Sequence, residues 1–572
     1  MGSSAKAKRQ RQNELTAGYF ALAMLGLVFL FTLIHWIDLI LQRRSIQNDG
    51  IFVRKVIGTA RRTRSVLLRK VPGFPSVGHA IVFLVYIFIN ITLSFYEIDW
   101  SVLNNFAKRL GWIALCNIVL ITLLALKNTP LAVLTGYSYE RLNVFHQVAG
   151  YCTIIWSLCH AVIYLAAWST SDNLHDMIEL SNVMGVVAGI SMLIILISAL
   201  LLRKFRYEVF YVIHIVLFVL ILIAVGMHRP DIEKKTVAVV VTATGIWLGD
   251  RLFRSGRMAW YAYGNHASII PLPHGGVRLS LSRAPKFVAP GSHCFLWIPS
   301  IRAGETHPFT IVSTNPLELV IAAQDGFTKD LVSRAQRSPG VRMRASIDGP
   351  YGALPDFAKF DELVLVAGGS GASFAFGIMI DLVRRFGAEF RKPAVNFIWV
   401  MREFEKITWF APELEMLKAN PNISISIFIT RSRSISGMPC PPDADLLTKT
   451  TLDLEKQVPV NVTTISASPN PSESKDDVEL QKSAPLSTTS PTGLKIEYLK
   501  PSIPHLIHAT LATAAPHSRL MIAACGPASM LRSARETVVD LRNGAVAAAT
   551  ADYSRAPRMD VAIEFWAEAF GW

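Results

Sequence analysis

The chain has 572 residues, more than one hydrophobic core usually organises, which predicts two or three structural units. Hydrophobic residues make up 51% and the mean hydropathy is +0.36, too high for an ordinary soluble protein. The net charge is +15, but the basic residues concentrate beside apolar runs, which indicates a membrane rather than nucleic acid. The six cysteines form neither a CxxC pair nor a zinc spacing, which argues against a disulfide scaffold.

Long apolar runs recur through the first 253 residues and predict a helical membrane domain. Most approach the roughly 20 residues that a helix needs to cross a bilayer, and only the third and the last are short. The first run is too long for a signal-peptide core, and no small-residue cleavage site follows it. The seven predicted spans cover residues 16–41, 78–97, 110–126, 144–168, 182–202, 206–227 and 237–253.

Loop charges predict the orientation of these spans. Residues 42–77 carry nine Lys or Arg and are therefore expected on the cytoplasmic side. Alternation then puts residues 169–181, which contain no Lys or Arg, outside, and the segment after residue 253 inside. The basic N-terminus falls outside, against the rule, so an even number of spans stays open.

Four histidines lie in two pairs of equal spacing within predicted spans. His146 and His160 are fourteen residues apart, and so are His214 and His228. Fourteen steps of about 100° come within roughly 40° of whole turns, so both members of a pair share a helix face. Two such helices side by side predict two stacked clamps, each holding one haem iron between two imidazoles. The alternative is four unrelated polar residues near helix ends.

The predicted topology assigns each clamp to one side of the membrane. The fourth and sixth spans both run from inside to outside, so His146 and His214 are expected toward the cytoplasm. His160 and His228 are expected toward the exterior. The sequence therefore predicts an inner and an outer haem.

Beyond about residue 260 the pattern changes to that of a soluble protein. Short apolar runs broken by Gly and Pro between residues 266 and 355 predict a small antiparallel barrel, which contains His307-Pro308-Phe309-Thr310. A strand at 363–367 then leads into Gly368-Gly369-Ser370-Gly371 and a helix-like stretch. Such a turn lets backbone N–H groups approach a phosphate at the helix N-terminus.

Further strands predict a parallel sheet, whose ligands bind at the carboxyl ends of its strands. They cover residues 396–400, 423–430 and 519–524, and the last ends at Cys525-Gly526-Pro527. Residues 433–495 are rich in Ser, Thr, Pro and charge, which predicts a disordered insertion.

In combination these motifs resemble the fungal ferric reductases, in the wider group that includes the NADPH oxidases. Gly-Pro-Tyr-Gly at 349–352 and a terminal Phe-Gly-Trp add to the resemblance. It implies a multi-domain membrane protein with an α-helical transmembrane haem-binding bundle and a cytosolic ferredoxin–NADP reductase-like module. That module would combine an antiparallel β-barrel FAD domain with an α/β parallel-sheet NADP domain. The expected divisions are an N-terminal segment with the first span and a basic cytosolic loop (1–77), the transmembrane haem domain (78–255), the FAD-binding barrel (260–357) and the NADP-binding domain (360–572).

The resemblance implies an FAD site built from three motifs. The His-Pro-Phe-Thr run would contact the isoalloxazine and ribityl part, the Gly-Phe-Thr turn the pyrophosphate, and the Gly-Pro-Tyr-Gly run the border with the nicotinamide pocket. The residues concerned are His307, Pro308, Phe309, Thr310, Gly326, Thr328, Gly349, Tyr351 and Gly352.

An NADPH site is implied as well. The glycine-rich turn would cradle the pyrophosphate, the Cys-Gly-Pro run would lie by the nicotinamide, and the terminal aromatics would cover the flavin. Arginines after the second and third strands would bind the 2′-phosphate, although an ion pair with Glu403 or Glu405 is an equal alternative for Arg402. The residues concerned are Gly368, Gly369, Ser370, Gly371, Cys525, Gly526, Pro527, Phe570, Trp572, Arg402, Arg431 and Arg433.

The activity implied is that of a transmembrane ferric-chelate reductase. Electrons would pass from cytosolic NADPH through FAD and two b-type haems to Fe(III), or Cu(II), outside the membrane, giving Fe(II) for iron uptake. Equal fourteen-residue gaps favour this over a superoxide-generating NADPH oxidase, because oxidases of the group tend to have one shorter gap. A haem-bearing sensor or transporter with a nucleotide-binding regulatory domain is the third alternative.

The expected partners are ferric chelates or siderophores outside, NADPH in the cytosol and the lipid bilayer, and no nucleic acid. The plasma membrane is the expected location, and the vacuolar membrane stays open. Coupling to an iron-uptake permease or oxidase and the oligomeric state also stay open.

Overall fold

The computed structural model comprises two compact units, Met1–Arg257 and Met258–Gly571. The first is helical, and the second carries two β-sheets. The residues that the structure describes are 2–43, 63, 66–67, 69, 71–72, 74, 76–228, 235–431, 487–489, 494–515, 518–543 and 561–568.

Seven of the described helices are long and apolar enough to cross a membrane, which confirms the predicted number. A short helix, α4, precedes the fourth of them, and a 3₁₀ turn at Leu174–Ile178 follows it. The helices are α1 Gly2–Arg43, α2 Val77–Phe95, α3 Leu103–Ala125, α4 Pro130–Thr135, α5 Tyr139–Thr170, α6 Leu180–Leu201, α7 Tyr207–His228 and α8 Lys235–Ala262.

The third span is longer than its sequence suggested, because a buried arginine hid its beginning. Helix α3 begins at Leu103, seven residues before the predicted start, and Arg109 is only 2% exposed. The Arg109 guanidinium donates to Asn13 Oδ1 on α1 and to the Tyr96 carbonyl at the end of α2, both at 2.7 Å. These bonds satisfy a group that would otherwise be costly to bury, and they tie three helices together.

A polar network also joins α2 and α3 in the bundle interior. Asn117 on α3 donates to Asn90 Oδ1 on α2 at 2.7 Å, and both side chains are fully buried. The Tyr86 hydroxyl donates to Asn117 Oδ1. Because each of these polar groups has a protein partner, the network stabilises the pairing of α2 with α3 without water.

In the second unit, seven antiparallel strands form the predicted barrel, in the order β6-β1-β2-β5-β4-β3-β7. Their inward residues, such as Ile269, Leu279 and Leu319, are fully buried. Helix α9 (Phe327–Arg337) follows β5. The strands are β1 His266–Leu272, β2 Gly276–Leu281, β3 His293–Trp297, β4 His307–Thr314, β5 Leu317–Ala322, β6 Arg342–Arg344 and β7 Ser346–Tyr351.

The second sheet has the order β11-β12-β10-β9-β8-β13-β14, parallel throughout except for β11. Strand β8, between β9 and β13, is buried on both faces, which explains its continuous apolar sequence. The strands are β8 Glu362–Gly368, β9 Ala394–Met401, β10 Ile423–Ile429, β11 Ser487–Thr489, β12 Leu494–Glu497, β13 Arg519–Cys525 and β14 Ala562–Glu568. The helices are α10 Ala372–Phe386, α11 Ala411–Leu417, α12 Ile503–Thr513 and α13 Ala528–Asn543.

The end of the predicted insertion at 433–495 differs from the expectation. Strand β11 lies within its last residues and β12 overlaps its end. Strand β12 pairs in parallel with β10. The alternation of Leu494 and Ile496 with Lys495 and Glu497 has the period of a strand, a signal that the polar composition around it obscured. Residues 433–486 lie outside the described part of the chain.

A buried ion pair joins the barrel to the parallel-sheet region within the second unit. Arg278 on β2 donates to both carboxylate oxygens of Glu413 on α11 at 2.8 Å, and to Glu318 at 2.7 Å. The exposed fractions of the Arg278 and Glu413 side chains are 12% and 4%. Solvent and salt screen the attraction between the charges of such a buried bidentate pair far less than that of a pair at the surface.

We expect Glu413→Gln to lower the free energy of unfolding of this unit by about 2 kcal/mol, because a neutral amide replaces the bidentate partner of the buried Arg278 guanidinium and leaves Glu318 as its remaining carboxylate. Urea denaturation followed by tryptophan fluorescence measures the change. The matched control is Glu415→Gln on the same helix, which removes an i,i+3 pair with Lys418 in which Glu415 is 58% exposed. That variant should stay within about 0.5 kcal/mol of the wild type, and equal losses in the two variants would contradict the argument.

Candidate functional site

The four spaced histidines meet in two pairs across helices α5 and α7. The ring centroids of His146 and His214 are 6.1 Å apart, with an interplanar angle of 60°. Those of His160 and His228 are also 6.1 Å apart, at 88°. The structure thus brings together the pairs expected from spacing and topology, at two levels of one helix pair.

Hydrogen bonds hold three of the four imidazoles by their Nδ1 atoms. His160 Nδ1 lies 2.7 Å from the Ala107 carbonyl oxygen, and His228 Nδ1 lies 2.7 Å from that of Ser181. His146 Nδ1 lies 3.0 Å from the Ile121 carbonyl oxygen. A carbonyl only accepts, so Nδ1 carries the proton and the Nε2 lone pair is left to bind a metal ion.

The His-Pro-Phe-Thr run lies on β4, and its neighbours in the barrel carry the other expected flavin residues. Phe309 is opposite Cys294 and Thr310 is opposite His293, both on β3. Strand β3 pairs on its other side with β7, which ends at Tyr351. The ring centroids of His293 and Tyr351 are 6.0 Å apart. One strand therefore joins the two motifs that are expected to border the flavin.

The Gly-Pro-Tyr-Gly run closes β7 in a buried position. The Tyr351 hydroxyl donates to Asp348 Oδ2 at 2.9 Å, and both residues are buried. A Cβ atom built on Gly352 would lie 3.5 Å from His293 Nδ1, so the run passes close to β3, and Gly349 packs against Cys294. This contact places the run beside the His-Pro-Phe-Thr strand.

The Gly-Phe-Thr turn at the start of α9 lies next to the same motif. The His307 ring stacks on the Phe327 ring at 4.6 Å between centroids, with an interplanar angle of 22°. The Thr328 hydroxyl accepts from the Gln324 N–H at 2.9 Å and orders the turn. A Cβ atom on Gly326 would lie 3.6 Å from the Arg302 guanidinium, which puts a cation beside the expected pyrophosphate contact.

The glycine-rich turn and the Cys-Gly-Pro run are in direct contact, because β8 and β13 are adjacent parallel strands. A Cβ atom on Gly371 would lie 2.5 Å from the Cys525 carbonyl oxygen, and one on Gly368 would lie 2.5 Å from Pro527 Cδ. A Cβ atom on Gly526 would lie 2.9 Å from Gly368 N. Only glycine permits this approach, which brings the two motifs together at the carboxyl edge of the sheet.

The turn itself has the geometry of a phosphate-binding loop. Gly369 has a φ of +56°, in the left-handed region, and Ser370 is exposed. The Trp399 indole on β9 donates to the Gly369 carbonyl at 3.1 Å. Helix α10 begins at once after Gly371, so its N-terminal N–H groups are available to an anion.

Cys525 is 1% exposed at the end of β13. Burial, and next to it the Glu568 carboxylate, raise the pKa of the Cys525 thiol above its usual range. The thiol is therefore neutral at physiological pH, which suits a group that packs against a cofactor rather than a nucleophile. Glu568 ends β14 opposite Cys525, and the expected aromatics Phe570 and Trp572 lie outside the described residues.

Arg402 and Arg431 lie together beyond the carboxyl ends of β9 and β10. The Arg431 backbone N–H donates to the Arg402 carbonyl at 3.3 Å, and Arg431 Nη1 is 3.4 Å from Glu403 Oε1. Among the described residues, the ion pair expected as the alternative for Arg402 is thus made by Arg431 instead. Both arginines are exposed and could reach a phosphate; Arg433 lies outside the described part of the chain.

Three further residues near these motifs were not singled out from the sequence. They are His293, Arg302 and Trp399, which lie beside the His-Pro-Phe-Thr strand, the Gly-Phe-Thr turn and the glycine-rich turn respectively. Each is distant in sequence from the motif that it contacts, so only the tertiary fold brings it into place. The one available signal was a single histidine at the start of the otherwise apolar strand β3.

Comparison with protein families matches three consecutive parts of the chain. Residues 110–225 match the ferric reductase like transmembrane component, and residues 263–354 match an FAD-binding domain. Residues 360–539 match the ferric reductase NAD binding domain. The first match covers α5 and α7 as far as residue 225, so His228 lies three residues beyond it; the barrel falls in the second match and most of the parallel sheet in the third.

Similar curated proteins are fungal. A probable cell surface ferric reductase of Aspergillus oryzae is 28% identical over 61% of this chain and 52% of its own length. A ferric/cupric reductase transmembrane component of Schizosaccharomyces pombe is 25% identical over 57% of this chain and 66% of its own length. The chain thus spans between half and two thirds of these relatives.

Among solved structures, a ferredoxin NADP⁺ reductase from Neisseria gonorrhoeae aligns with 52% of this chain and 97% of its own, at 16% identity and a TM-score of 0.28.

The resemblance carried by the motifs is confirmed by the family matches. The chain contains a ferric reductase like transmembrane component, an FAD-binding domain and a ferric reductase NAD binding domain in that order, and it is similar to fungal ferric and ferric/cupric reductases.

Proposed function

We propose that this chain is a transmembrane ferric-chelate reductase that carries electrons from cytosolic NADPH, by way of FAD and two b-type haems, to Fe(III) outside the membrane. Cu(II) is a further acceptor under this proposal, and ferric chelates or siderophores are its substrates. The observation that carries the proposal is the pairing of four histidines in a membrane bundle, in one chain with flavin- and nicotinamide-binding domains.

The separation of the paired imidazoles fits a haem iron. Two metal–imidazole bonds of about 2 Å, plus roughly 1 Å from each nitrogen to its ring centroid, put the centroids about 6 Å apart. Both pairs have 6.1 Å between centroids. The Nδ1 bonds of His146, His160 and His228 favour the tautomer with an unprotonated Nε2, through which these residues would hold a haem iron.

FAD accepts a hydride and haem iron carries single electrons, which is the chemistry that these cofactors supply when bound. The chain's residues orient them. The His307–Thr310 run, the Gly326 turn with Thr328, and Gly349, Tyr351 and Gly352 would hold the flavin. Arg302 would offer its guanidinium to the flavin pyrophosphate.

The nicotinamide cofactor would lie along the carboxyl edge of the parallel sheet. The Gly368–Gly371 turn and the N-terminus of α10 would bind its pyrophosphate, and Arg402 and Arg431 its 2′-phosphate. Cys525, with Gly526 and Pro527, would pack beside the nicotinamide, and its neutral thiol adds no charge there. Phe570 and Trp572 would cover the flavin until nicotinamide displaces them.

The membrane orientation follows from charge. Nine Lys or Arg between residues 42 and 77 favour the cytosol for that loop, and alternation then gives the cytosol to the segment after residue 253. This agrees with a cytosolic source of NADPH. We infer a multi-pass protein of the plasma membrane, with His160 and His228 toward the exterior.

The acceptor can be identified with membranes that contain the protein. We expect NADPH to drive the reduction of ferric citrate, followed with a ferrous-specific dye, and superoxide dismutase to leave the rate unchanged. His160 and His228 would both hold the outer haem, which would keep O₂ from binding its iron directly, so transfer to the acceptor would be outer-sphere. Loss of the colour with dismutase would mean that superoxide is the carrier, and the protein would then be an NADPH oxidase.

The outer ligands can be tested separately from the flavin site. We expect His160→Ala and His228→Ala each to lower the haem content to about half, since each removes one of two axial ligands of one haem. Flavin content and NADPH-driven flavin reduction should survive. The control is His175→Ala, in the exposed turn after α5, where His175 forms an ion pair with the neighbouring Asp176. Full haem content in the His160 and His228 variants would refute the ligand assignment.

The contact between the glycine-rich turn and Cys525 gives a test of the nicotinamide site. We expect Gly371→Ala to raise the KM for NADPH at least tenfold, about 1.4 kcal/mol of binding, because its Cβ would lie 2.5 Å from a backbone oxygen. The FAD content should be unchanged. Gly304→Ala is the control, since a Cβ there meets nothing within 4 Å. An unchanged KM in Gly371→Ala would exclude this turn as the pyrophosphate site.

A further inference from the structure

The two outer histidines are held by the same arrangement on two different helices. His160 bonds to the carbonyl of Ala107, four residues before Gly111 on α3. His228 bonds to the carbonyl of Ser181, four residues before Gly185 on α6. A Cβ on either glycine would approach the imidazole Nδ1 to 3.0 Å or 2.5 Å respectively. The glycine leaves space for the imidazole ring, and the carbonyl one helical turn earlier accepts a hydrogen bond from its Nδ1–H.

The inner site repeats this arrangement on α3, less closely. The carbonyl fourteen residues after that of Ala107 belongs to Ile121, and it accepts from His146 at 3.0 Å rather than 2.7 Å. Ala125 stands where the outer site has Gly111. The register of α3 against α5 therefore offers a carbonyl to both His160 and His146. At the inner site, however, the methyl group of Ala125 occupies the position that Gly111 leaves open at the outer site.

On α6 the arrangement is interrupted. Helices α6 and α7 are consecutive and antiparallel, so the register set by the Ser181–His228 bond predicts that Ile195, fourteen residues along α6, lies at the level of His214. His214 Nδ1 is nevertheless buried without a hydrogen-bond partner among the described residues. The Ile195 carbonyl accepts from the Ser198 hydroxyl at 2.9 Å, and Ala199 occupies the position that corresponds to Gly185.

We propose that the haem held by His146 and His214 has a higher reduction potential than the haem held by His160 and His228, and that Ser198 and Ala199 set this difference. The inference rests on the proposed function. A hydrogen bond from Nδ1–H to a carbonyl makes an imidazole a stronger electron donor, which stabilises Fe(III) relative to Fe(II). The outer pair has two such bonds at 2.7 Å, and the inner pair has one at 3.0 Å.

The consequence concerns the direction of electron flow. Each reduction adds one electron to one iron, from Fe(III) to Fe(II), with no ligand exchanged. In a protein that has received one electron, that electron would reside mainly on the inner haem at equilibrium. The outer haem, with its lower potential, would be the stronger reductant toward the acceptor. Ser198 and Ala199 act through His214, so they are positioning residues and touch no substrate.

The test is a spectroelectrochemical titration of the full-length, haem-loaded protein, followed at the reduced-haem absorption bands. The wild type should titrate in two one-electron steps. The double variant Ser198→Ala/Ala199→Gly frees the Ile195 carbonyl and removes the methyl group beside His214. We expect the step of higher potential to move to lower potential while the other stays in place.

The matched control is Ser191→Ala/Ala188→Gly on the same helix. Ser191 is buried and donates to the Val187 carbonyl at 2.7 Å, so this variant removes an equivalent bond and adds an equivalent glycine. Both steps should keep their wild-type potentials. If the control moves the same step equally, the effect belongs to helix α6 as a whole and the role of Ser198 and Ala199 is refuted.

A second measurement covers the case in which the double variant does not fold. His160→Ala retains the inner ligands alone, so its remaining haem should titrate at the higher of the two wild-type potentials. Titration at the lower potential would overturn the inference and leave the proposed function intact. A wild-type protein that binds no haem would instead overturn the proposed function.

Discussion

The register between antiparallel helices governs the membrane unit. A buried imidazole needs a partner for each nitrogen, and in a bundle the nearest acceptors are helix carbonyls that already accept one bond. Helices α3 and α6 present such carbonyls at the level of His160, His228 and His146. The equal spacing of the histidines on α5 and α7 is matched by a fourteen-residue repeat of acceptors on α3. The second pair of rings therefore lies at the same separation as the first.

The same requirement explains how the first helix is joined to this bundle. A charged side chain at membrane depth costs on the order of 3 kcal/mol unless it is paired. Arg109 meets that cost by binding Asn13 and the end of α2, and Lys235 at the start of α8 forms an ion pair with Glu14. Helix α1 precedes the family match, which begins at residue 110, yet its polar residues at positions 13 and 14 complete contacts of other helices. It is an integral part of the unit.

In the second unit, the close approach of two strand ends creates the site. Gly371 lies against the Cys525 carbonyl, and the Trp399 indole bonds to Gly369, so three neighbouring strands fix one turn. Because parallel strands end at a common edge, residues far apart in sequence meet there without further specificity in the loops. The Arg278–Glu413 pair performs a related task by joining β2 to α11. Both contacts are buried: the first depends on glycine, which lets two backbone segments approach, and the second on the bidentate fit of two side chains.

The sequence by itself determined the number of spans, the two classes of sheet and the resemblance to ferric reductases. These follow from hydrophobic period, histidine spacing and short motifs, which are local properties of the chain. Only the tertiary structure decided which carbonyl each imidazole meets, that Arg302 and His293 lie beside the flavin motifs, and that Arg431 rather than Arg402 pairs with Glu403. It also decided that His214 differs from the other three histidines. The reason is that equal spacing specifies a face of one helix, whereas a hydrogen bond depends on the residue that the neighbouring helix presents to that face, here Ile195 with its carbonyl engaged by Ser198.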